Sequence, residues 1–250
     1  MLEIKNLDVS VEDKQIIKNL NLKIGPGEVH AIMGPNGSGK STIAHTLAGK
    51  PNYLVEAGNV EFKNEDLIAK DPYERSLLGL FLAFQYPIEL PGVTNASYLK
   101  QILNAHRKSR GENPIDAGEF LKILKEKSKN LNIPMDMHSR FVNAGFSGGE
   151  KKKNEVLQMD LLDPSLIIMD ETDSGLDVDA LKSTSEAVNK LRDGKRSFLI
   201  ITHYLRLLEY IEPDHVHVFG DGSIIESGDK SLASRIDNEG YEVKWSQSVL

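Results

Sequence analysis

The first fifty residues alternate apolar and polar positions and then change to a short apolar run. The alternation in residues 2–11 predicts a half-buried strand, and residues 16–24 predict a second strand after a polar turn at residues 12–14. Residues 29–33 are apolar and lie between turn residues, which indicates a buried strand. This strand would lead directly into a glycine-rich loop, followed by a helix over residues 40–47.

Three later apolar runs have the same buried-strand character, namely residues 80–84, 166–169 and 198–201. Helical stretches separate these runs, and that order predicts an α/β fold with a mainly parallel sheet. Apolar residues also recur at spacings of three and four over residues 96–106 and 120–131. We therefore expect helices to be inserted between the first and second of the three strands.

The domain organisation follows from the length of 250 residues, which is within reach of one large α/β domain. We expect a single domain over residues 1–250 that includes an N-terminal antiparallel β subdomain. Its catalytic core would comprise residues 1–85 and 163–250, and residues 86–162 would form an inserted α-helical subdomain. A hairpin is predicted over residues 216–225.

The composition argues against several classes of function. The 30 Lys and Arg residues against 37 Asp and Glu residues give a formal charge of −7, so we expect no direct nucleic-acid binding. Without cysteine, the chain has no disulfide and no thiolate ligand for zinc or an iron–sulfur cluster. The longest apolar run, residues 77–84, is far shorter than the roughly 18 residues of a membrane span. Because the start of the sequence also lacks the plan of a signal peptide, we expect a cytoplasmic protein without membrane insertion.

The strongest chemical motif is the glycine-rich loop, which reads Gly34, Pro35, Asn36, Gly37, Ser38, Gly39, Lys40, Ser41 and Thr42. Glycines let consecutive amide groups point at a phosphate, and the N-terminus of the following helix adds its dipole. Lys40 would neutralise the β- and γ-phosphate oxygens, and Ser41 would supply an oxygen to Mg²⁺. The loop therefore predicts a nucleotide site with Mg²⁺.

Asp170 and Glu171 stand at the end of the second apolar run. Asp170 is suited to hold Mg²⁺ as the partner of Ser41, and Glu171 is suited to orient or deprotonate an attacking water. Taken alone, such a pair is more often a solvated turn. The phosphate loop in the same chain favours the functional interpretation.

A second predicted helix start also has features suited to phosphate, since residues 146–150 read Phe-Ser-Gly-Gly-Glu. Ser147 and Glu150 fit a capping box, while Gly148 and Gly149 allow close approach of a phosphate. Both interpretations can hold together. Because one site already has a phosphate loop, we favour a γ-phosphate bound by a second subunit. The three lysines that follow are expected to lie on a solvated helix face.

This order of motifs resembles the ATP-binding-cassette ATPases along nearly the whole chain. The matching stretches are the Walker A loop at residues 34–42, the Q-loop Gln85, the signature at 146–150, the Walker B segment at 166–171, the D-loop at 174–177 and the switch His203. In that family, two cassettes enclose two ATP molecules head to tail, each Walker A loop facing the other subunit's signature.

The resemblance implies that ATP and Mg²⁺ are the cofactors and that Lys40, Glu171 and His203 are catalytic. It implies that Gln85 helps to hold Mg²⁺ beside Ser41 and Asp170, and that His203 contacts the γ-phosphate. The expected nucleotide-binding positions beyond the loop are Gln85, Ser147, Gly148, Gly149 and Asp177.

Within these ATPases the chain resembles the SufC family, which serves the Suf iron–sulfur cluster assembly machinery. Phe146, Glu150 and the pair Thr172-Asp173 depart from ordinary transporter cassettes and fit SufC. The resemblance implies ATP-driven dimerisation with a second cassette and docking onto the scaffold proteins SufB and SufD, for which residues 86–95 are our candidate loop. The alternative is the ATPase subunit of a membrane transporter, while a non-enzymatic switch and a DNA-repair cassette fit less well.

One departure concerns the nucleotide base. Cassettes usually carry an aromatic residue that stacks on adenine at about the position of Val11, and residues 2–34 contain no Tyr, Trp or Phe. A stacked base contributes roughly 1 to 3 kcal/mol in single-strand binders. The sequence therefore predicts weak ATP affinity and poor discrimination of ATP from GTP.

Overall fold

A computed structural model describes residues 1–241, so the last nine positions of the predicted domain, 242–250, lie outside the described residues. Its strands are β1 Leu2–Val11, β2 Lys14–Ile24, β3 Val29–Met33, β4 Tyr53–Phe62, β5 Glu65–Asp66, β6 Leu80–Ala83, β7 Leu90–Thr94, β8 Phe141–Val142, β9 Leu166–Asp170, β10 Ser197–Ile201, β11 His215–Gly220 and β12 Ser223–Gly228. Its α-helices are α1 Lys40–Ala48, α2 Pro72–Leu78, α3 Asn95–Ser109, α4 Ala117–Asn130, α5 Gly148–Leu162, α6 Val178–Lys190, α7 Leu205–Tyr210 and α8 Lys230–Glu239, and a 3₁₀-helix spans Met135–Ser139.

The central sheet has six strands in the order β12-β11-β3-β10-β9-β6. All its pairings are parallel except that of β11 with β12, which is the predicted hairpin. Every residue of β3, β9 and β10 is buried, because two apolar clusters cover opposite faces of the sheet. This two-sided burial explains the continuous apolar runs and confirms the predicted parallel sheet.

A second sheet, in the order β2-β1-β4-β5, is antiparallel and confirms the predicted N-terminal subdomain. The sequence pattern did not reveal β4, since only Val60 and Phe62 of its ten residues are fully buried. Gly58 of β4 lies where β1 is irregular, and a Cβ atom there would come within 2.3 Å of the carbonyl oxygen of Asn6. Close backbone approach therefore requires glycine at this position.

The predicted helices of the insert are present as α3 and α4, which pack with α5 in the same core cluster as one face of the central sheet. The structure adds a two-stranded sheet of β7 and β8 beside them, so the candidate docking loop contains a short strand. It also adds α2 and α8, which were not among the predicted helices. The boundaries proposed for the insert and the core stay predictions.

Candidate ATP-binding site

The glycine-rich loop connects β3 to α1, as predicted. Gly37 and Gly39 have φ angles of 80° and 104°, in the left-handed region that favours glycine. A Cβ atom on Gly39 would also come within 2.8 Å of the Cγ2 atom of Ile16. The ammonium of Lys40 donates to the carbonyl oxygens of Gly34 at 2.8 Å and of Pro35 at 2.9 Å, so the loop curls around this charge.

A pocket of about 470 Å³ opens beside this loop, lined by Val11, Glu12, Lys14, Ile16, Gly37, Gly39, Lys40, Ser41, Thr42, Tyr53 and Glu171. The structure therefore brings loop residues, the N-terminal sheet and one of the two predicted carboxylates to one space. Its size is within the usual range of small-molecule sites.

Ser41 and Asp170 meet although 129 positions separate them: the Ser41 hydroxyl donates to Oδ1 of Asp170 at 2.9 Å. Burial raises the pKa of Asp170, and the hydrogen bond from Ser41 opposes that change. A buried carboxylate beside a hydroxyl oxygen offers the hard oxygen ligands that Mg²⁺ prefers, so these two residues fit the ion.

Glu171 contacts two other predicted residues, Gln85 and His203. The amide nitrogen of Gln85 donates to its Oε2 at 2.9 Å, and Nδ1 of His203 lies 3.4 Å from its Oε1. Glu171 has a φ of 44° and donates its backbone N–H to the carbonyl oxygen of Ile201 at 2.9 Å. The amide nitrogen of Gln85 thus contacts Glu171, while Ser41 and Asp170 contact each other.

Lys40 is almost fully buried, at 3% exposure. Burial lowers its pKa, and the carboxylates of Glu171 and Asp170 oppose that change. A nearly buried cation at the end of a glycine-rich loop is suited to an anionic ligand.

The sequence missed Tyr53, which corrects the premise that no aromatic residue stands near Val11. Tyr53 is the first residue of β4, pairs with Val11 of β1 and lines the same pocket as the phosphate loop. Its hydroxyl lies 2.9 Å from Nδ1 of His45. Val11 and Tyr53 are 42 positions apart, so the sequence could place Tyr53 beside Val11 only if β4 and its pairing with β1 were predicted first.

The second predicted phosphate site lies in a different pocket of about 520 Å³, which Ser147, Gly149 and Asp177 line together. The capping box is confirmed: Glu150 donates its backbone N–H to the Ser147 hydroxyl at 3.2 Å, and the Ser147 N–H donates to Glu150 Oε2 at 2.7 Å. Asp177 caps α6 by accepting from the Ala180 N–H at 2.8 Å. Gly148 is the first residue of α5.

The expectation of a solvated lysine face is wrong for Lys152, which is 3% exposed. Its ammonium lies 2.9 Å from Oε2 of Glu155, also buried, and contacts the Phe84 carbonyl oxygen. The Phe84 N–H donates to the other oxygen of Glu155 at 2.9 Å. This buried ion pair anchors the chain immediately before Gln85.

Phe84 and residues that follow it expose apolar side chains, namely Phe84 at 41%, Tyr86 at 74%, Ile88 at 65% and Leu90 at 36%. Three of them, Phe84, Ile88 and Leu90, line a groove of about 410 Å³ that α2, α3 and α5 also border. We use the name apolar groove for this groove together with the four exposed side chains. Large exposed apolar patches of this kind mark interaction sites.

The family model described as "ABC transporter" matches residues 17–174. The chain therefore belongs to the ATP-binding cassette family, and it is an ABC-type ATPase that binds ATP.

Among curated relatives, the "Probable ATP-dependent transporter SufC" of Escherichia coli (strain K12) is 56% identical over 96% of this chain and 97% of its own length. The "Probable ATP-dependent transporter ycf16" of Antithamnion sp. is 50% identical over 97% of this chain and 96% of its own length. These likenesses confirm the predicted resemblance to SufC-type ATPases.

Solved structures share the fold. The dimeric ATP-binding cassette MJ0796 bound to ADP and Pi has a TM-score of 0.78 at 21% identity, over 92% of this chain and 99% of that chain. The ADP conformation of MJ1267, an ATP-binding cassette of an ABC transporter, has a TM-score of 0.77 at 25% identity, over 96% and 95%. Among residues 1–241, no helix has the length and apolar character that crossing a membrane requires.

Proposed function

We propose that this chain hydrolyses ATP to close two cassettes on each other, and that closure remodels a SufB- and SufD-type scaffold during iron–sulfur cluster assembly. The observation that carries the proposal is the apolar groove, which lies beside Gln85. The side-chain amide of Gln85 in turn contacts Glu171. A partner seated in the groove would lie against the segment that touches the hydrolytic carboxylate. The likeness to SufC supports the identity of the partner.

In the hydrolysis step, the loop amides and Lys40 would bind the β- and γ-phosphates of ATP. Ser41 and Asp170 would hold Mg²⁺, which supplies positive charge against the phosphate oxygens. Glu171 would orient the attacking water and take its proton, and His203 would contact the γ-phosphate. Gln85 stays a predicted further ligand of Mg²⁺.

The second cassette would complete the site. At the start of α5, Ser147 and Gly149 line a pocket that shares no lining residue with the phosphate-loop pocket, and Gly148 lies between them in the chain. A helix N-terminus with two glycines is suited to a γ-phosphate, and Asp177 would lie at the same interface. We therefore propose that each ATP is bound between the phosphate loop of one copy and the Ser147 pocket of the other. The cytoplasmic location stays a prediction.

Co-purification tests the partner. The tagged protein, expressed in its own cell, is expected to bring down SufB- and SufD-type proteins. A variant with Tyr86→Asp and Ile88→Asp should lose them and still bind ATP, because both side chains are exposed. Leu121→Asp is the matched control, since Leu121 is 52% exposed on α4 and lies away from the groove.

The ATPase subunit of a membrane transporter remains the second candidate, because the similar relatives are named as probable transporters. The same purification separates the two: capture of membrane-spanning subunits in place of the scaffold proteins would contradict our proposal.

A further inference from the structure

A group of imidazoles and a carboxylate lies at the end of the central sheet opposite the phosphate loop. Glu28 immediately precedes β3, His30 is on β3, and His215 and His217 are on β11. His30 and His215 are direct partners in the parallel pairing of the two strands. Because side chains two positions apart share a face of a sheet, all four point to the same side.

Three members of this group bring potential metal-ligand atoms close together. One potential ligand atom from each of Glu28, His30 and His215 lies within 4.8 Å of the other two. Oε2 of Glu28 lies 2.9 Å from Nε2 of His30, and the rings of His30 and His215 have centroids 4.6 Å apart. We propose that Glu28, His30 and His215 bind one divalent transition-metal ion of the Zn²⁺ or Fe²⁺ class.

The ligand set indicates the class of ion. Two imidazoles and one carboxylate with a further position open to water are typical of Zn²⁺ and of non-haem Fe²⁺, whereas Mg²⁺ prefers oxygen ligands throughout. The open position is available because His215 is exposed and the Glu28 side chain is 40% exposed. The ion that accompanies ATP is therefore not expected to occupy this site.

Further residues hold the His30 ring in place. Nδ1 of His30 lies 2.9 Å from Nε2 of His217, and Nδ1 of His217 lies 2.8 Å from the hydroxyl of Ser227. His30 and His217 are 3% and 8% exposed, so these contacts are shielded from water. Metal-binding histidines almost always donate their other ring N–H to a carboxylate, a backbone carbonyl or water, which fixes the ring orientation. Here Nε2 of His217 would be the acceptor.

The hydrogen bonds that join Ser227, His217, His30 and Glu28 can be assigned consistent donors and acceptors both without and with a bound ion. Without it, Ser227 donates to His217, His217 donates to Nδ1 of His30, and His30 donates from Nε2 to Glu28. With it, Nε2 of His30 binds the ion, Nδ1–H donates to His217, and His217 donates from Nδ1 to Ser227. Each imidazole keeps one proton in both states, so binding changes only the tautomers.

Negative charge favours a cation here. Oε2 of Glu28 also accepts the N–H of Gly25 at 2.5 Å. Asp214 lies next to His215 and accepts the Val29 N–H at 2.8 Å. A divalent ion would meet at least two carboxylates close by.

Titration of the chelator-treated full chain with Zn²⁺ alone, and with Fe²⁺ alone under anaerobic conditions, tests the proposal by calorimetry. Mg²⁺ and ADP are kept in excess so that the phosphate-loop pocket is occupied. We expect one ion per chain, and Co²⁺ should give the visible absorption of imidazole and carboxylate coordination. Comparison of the separate Zn²⁺ and Fe²⁺ titrations shows which of the two ions the site binds.

Variants locate the site. His215→Ala changes an exposed residue and should lower the affinity by about tenfold or more without altering the melting temperature, and His217→Ala should lower it roughly 10- to 100-fold. His106→Ala, which removes an imidazole elsewhere on α3, should leave binding unchanged. The absence of stoichiometric binding, or binding that His215→Ala leaves intact, would overturn the proposal.

Discussion

The amide nitrogen of Gln85 donates a hydrogen bond of 2.9 Å to Oε2 of Glu171, across 86 positions of sequence. Gln85 follows Phe84, whose backbone is fixed by Glu155 and Lys152 and whose side chain lines the apolar groove. The groove and the proposed hydrolytic carboxylate are therefore joined through one side chain. A partner that moves this segment would change the position of Glu171 directly.

Gln85→Ala removes this connection. We expect turnover to fall about tenfold, the effect of one hydrogen bond to a charged group, and stimulation by the scaffold proteins to disappear while ATP binding persists. Steady-state ATPase assays with and without the scaffold measure this. Gln101→Ala, an exposed glutamine on α3, is the control and should behave as the unmodified protein.

Glu171→Gln keeps the shape of the side chain and removes its basicity. We expect turnover to fall roughly 10²- to 10⁴-fold, the range for loss of a general base, while ATP and Mg²⁺ hold the chain as a stable dimer. Light scattering after gel filtration measures the mass. Glu186→Gln on the exposed face of α6 is the matched control, and unimpaired turnover of Glu171→Gln would contradict the role assigned to Glu171.

Tyr53 should bind the nucleotide base. Its ring lines the phosphate-loop pocket beside Val11, so Tyr53→Ala is expected to weaken ATP binding by roughly 1 to 3 kcal/mol, about 5- to 150-fold. Tyr53→Phe keeps the ring, removes the contact with His45 and should retain most of the affinity. Calorimetric titration with ATP distinguishes the two variants. If Tyr53→Ala bound ATP as tightly as the unmodified protein, Tyr53 would not contact the base, and the weak base binding predicted from the sequence would be supported instead.

Lys152→Ala should destabilise the fold. It leaves the carboxylate of Glu155 buried without its cation, and loss of one partner of a buried pair costs about 3 to 5 kcal/mol. Urea unfolding measures the difference. The double variant Lys152→Met with Glu155→Leu should recover most of the stability because no charge remains buried. Lys153→Ala, at the neighbouring position outside this pair, should have little effect; an equally large loss in that control would locate the effect in the helix rather than in the ion pair.

The parts of the fold that the sequence revealed are those in which one physical cause dominates. The strands β3, β9 and β10 are buried on both faces, so their continuous apolar runs predict them. The residue types of the glycine-rich loop after β3 predict phosphate binding without reference to any other part of the chain. Asp170 and Glu171 stand at the end of such a strand, and the phosphate loop in the same chain makes them candidates; their roles stay predictions. Each of these signals lies within a few consecutive residues.

What the sequence did not reveal depends on pairing between distant segments. Tyr53 lies at the phosphate-loop pocket only because β4 pairs with β1. β4 has too few buried positions for an apolar pattern to predict the strand. Lys152 has the character of a solvated lysine until Glu155 and the Phe84 carbonyl oxygen enclose it. His30 and His215 become neighbours only when β11 is placed beside β3.

If each ATP is shared between two copies as proposed, the separation of the two pockets makes activity depend on protein concentration. If Ser147 of another copy must complete each phosphate loop, dilution disassembles the active site without unfolding anything, and specific activity should rise with enzyme concentration. A scaffold that holds two copies side by side raises their effective concentration and removes that dependence. The partner would then act as a template that decides where in the cell ATP is consumed.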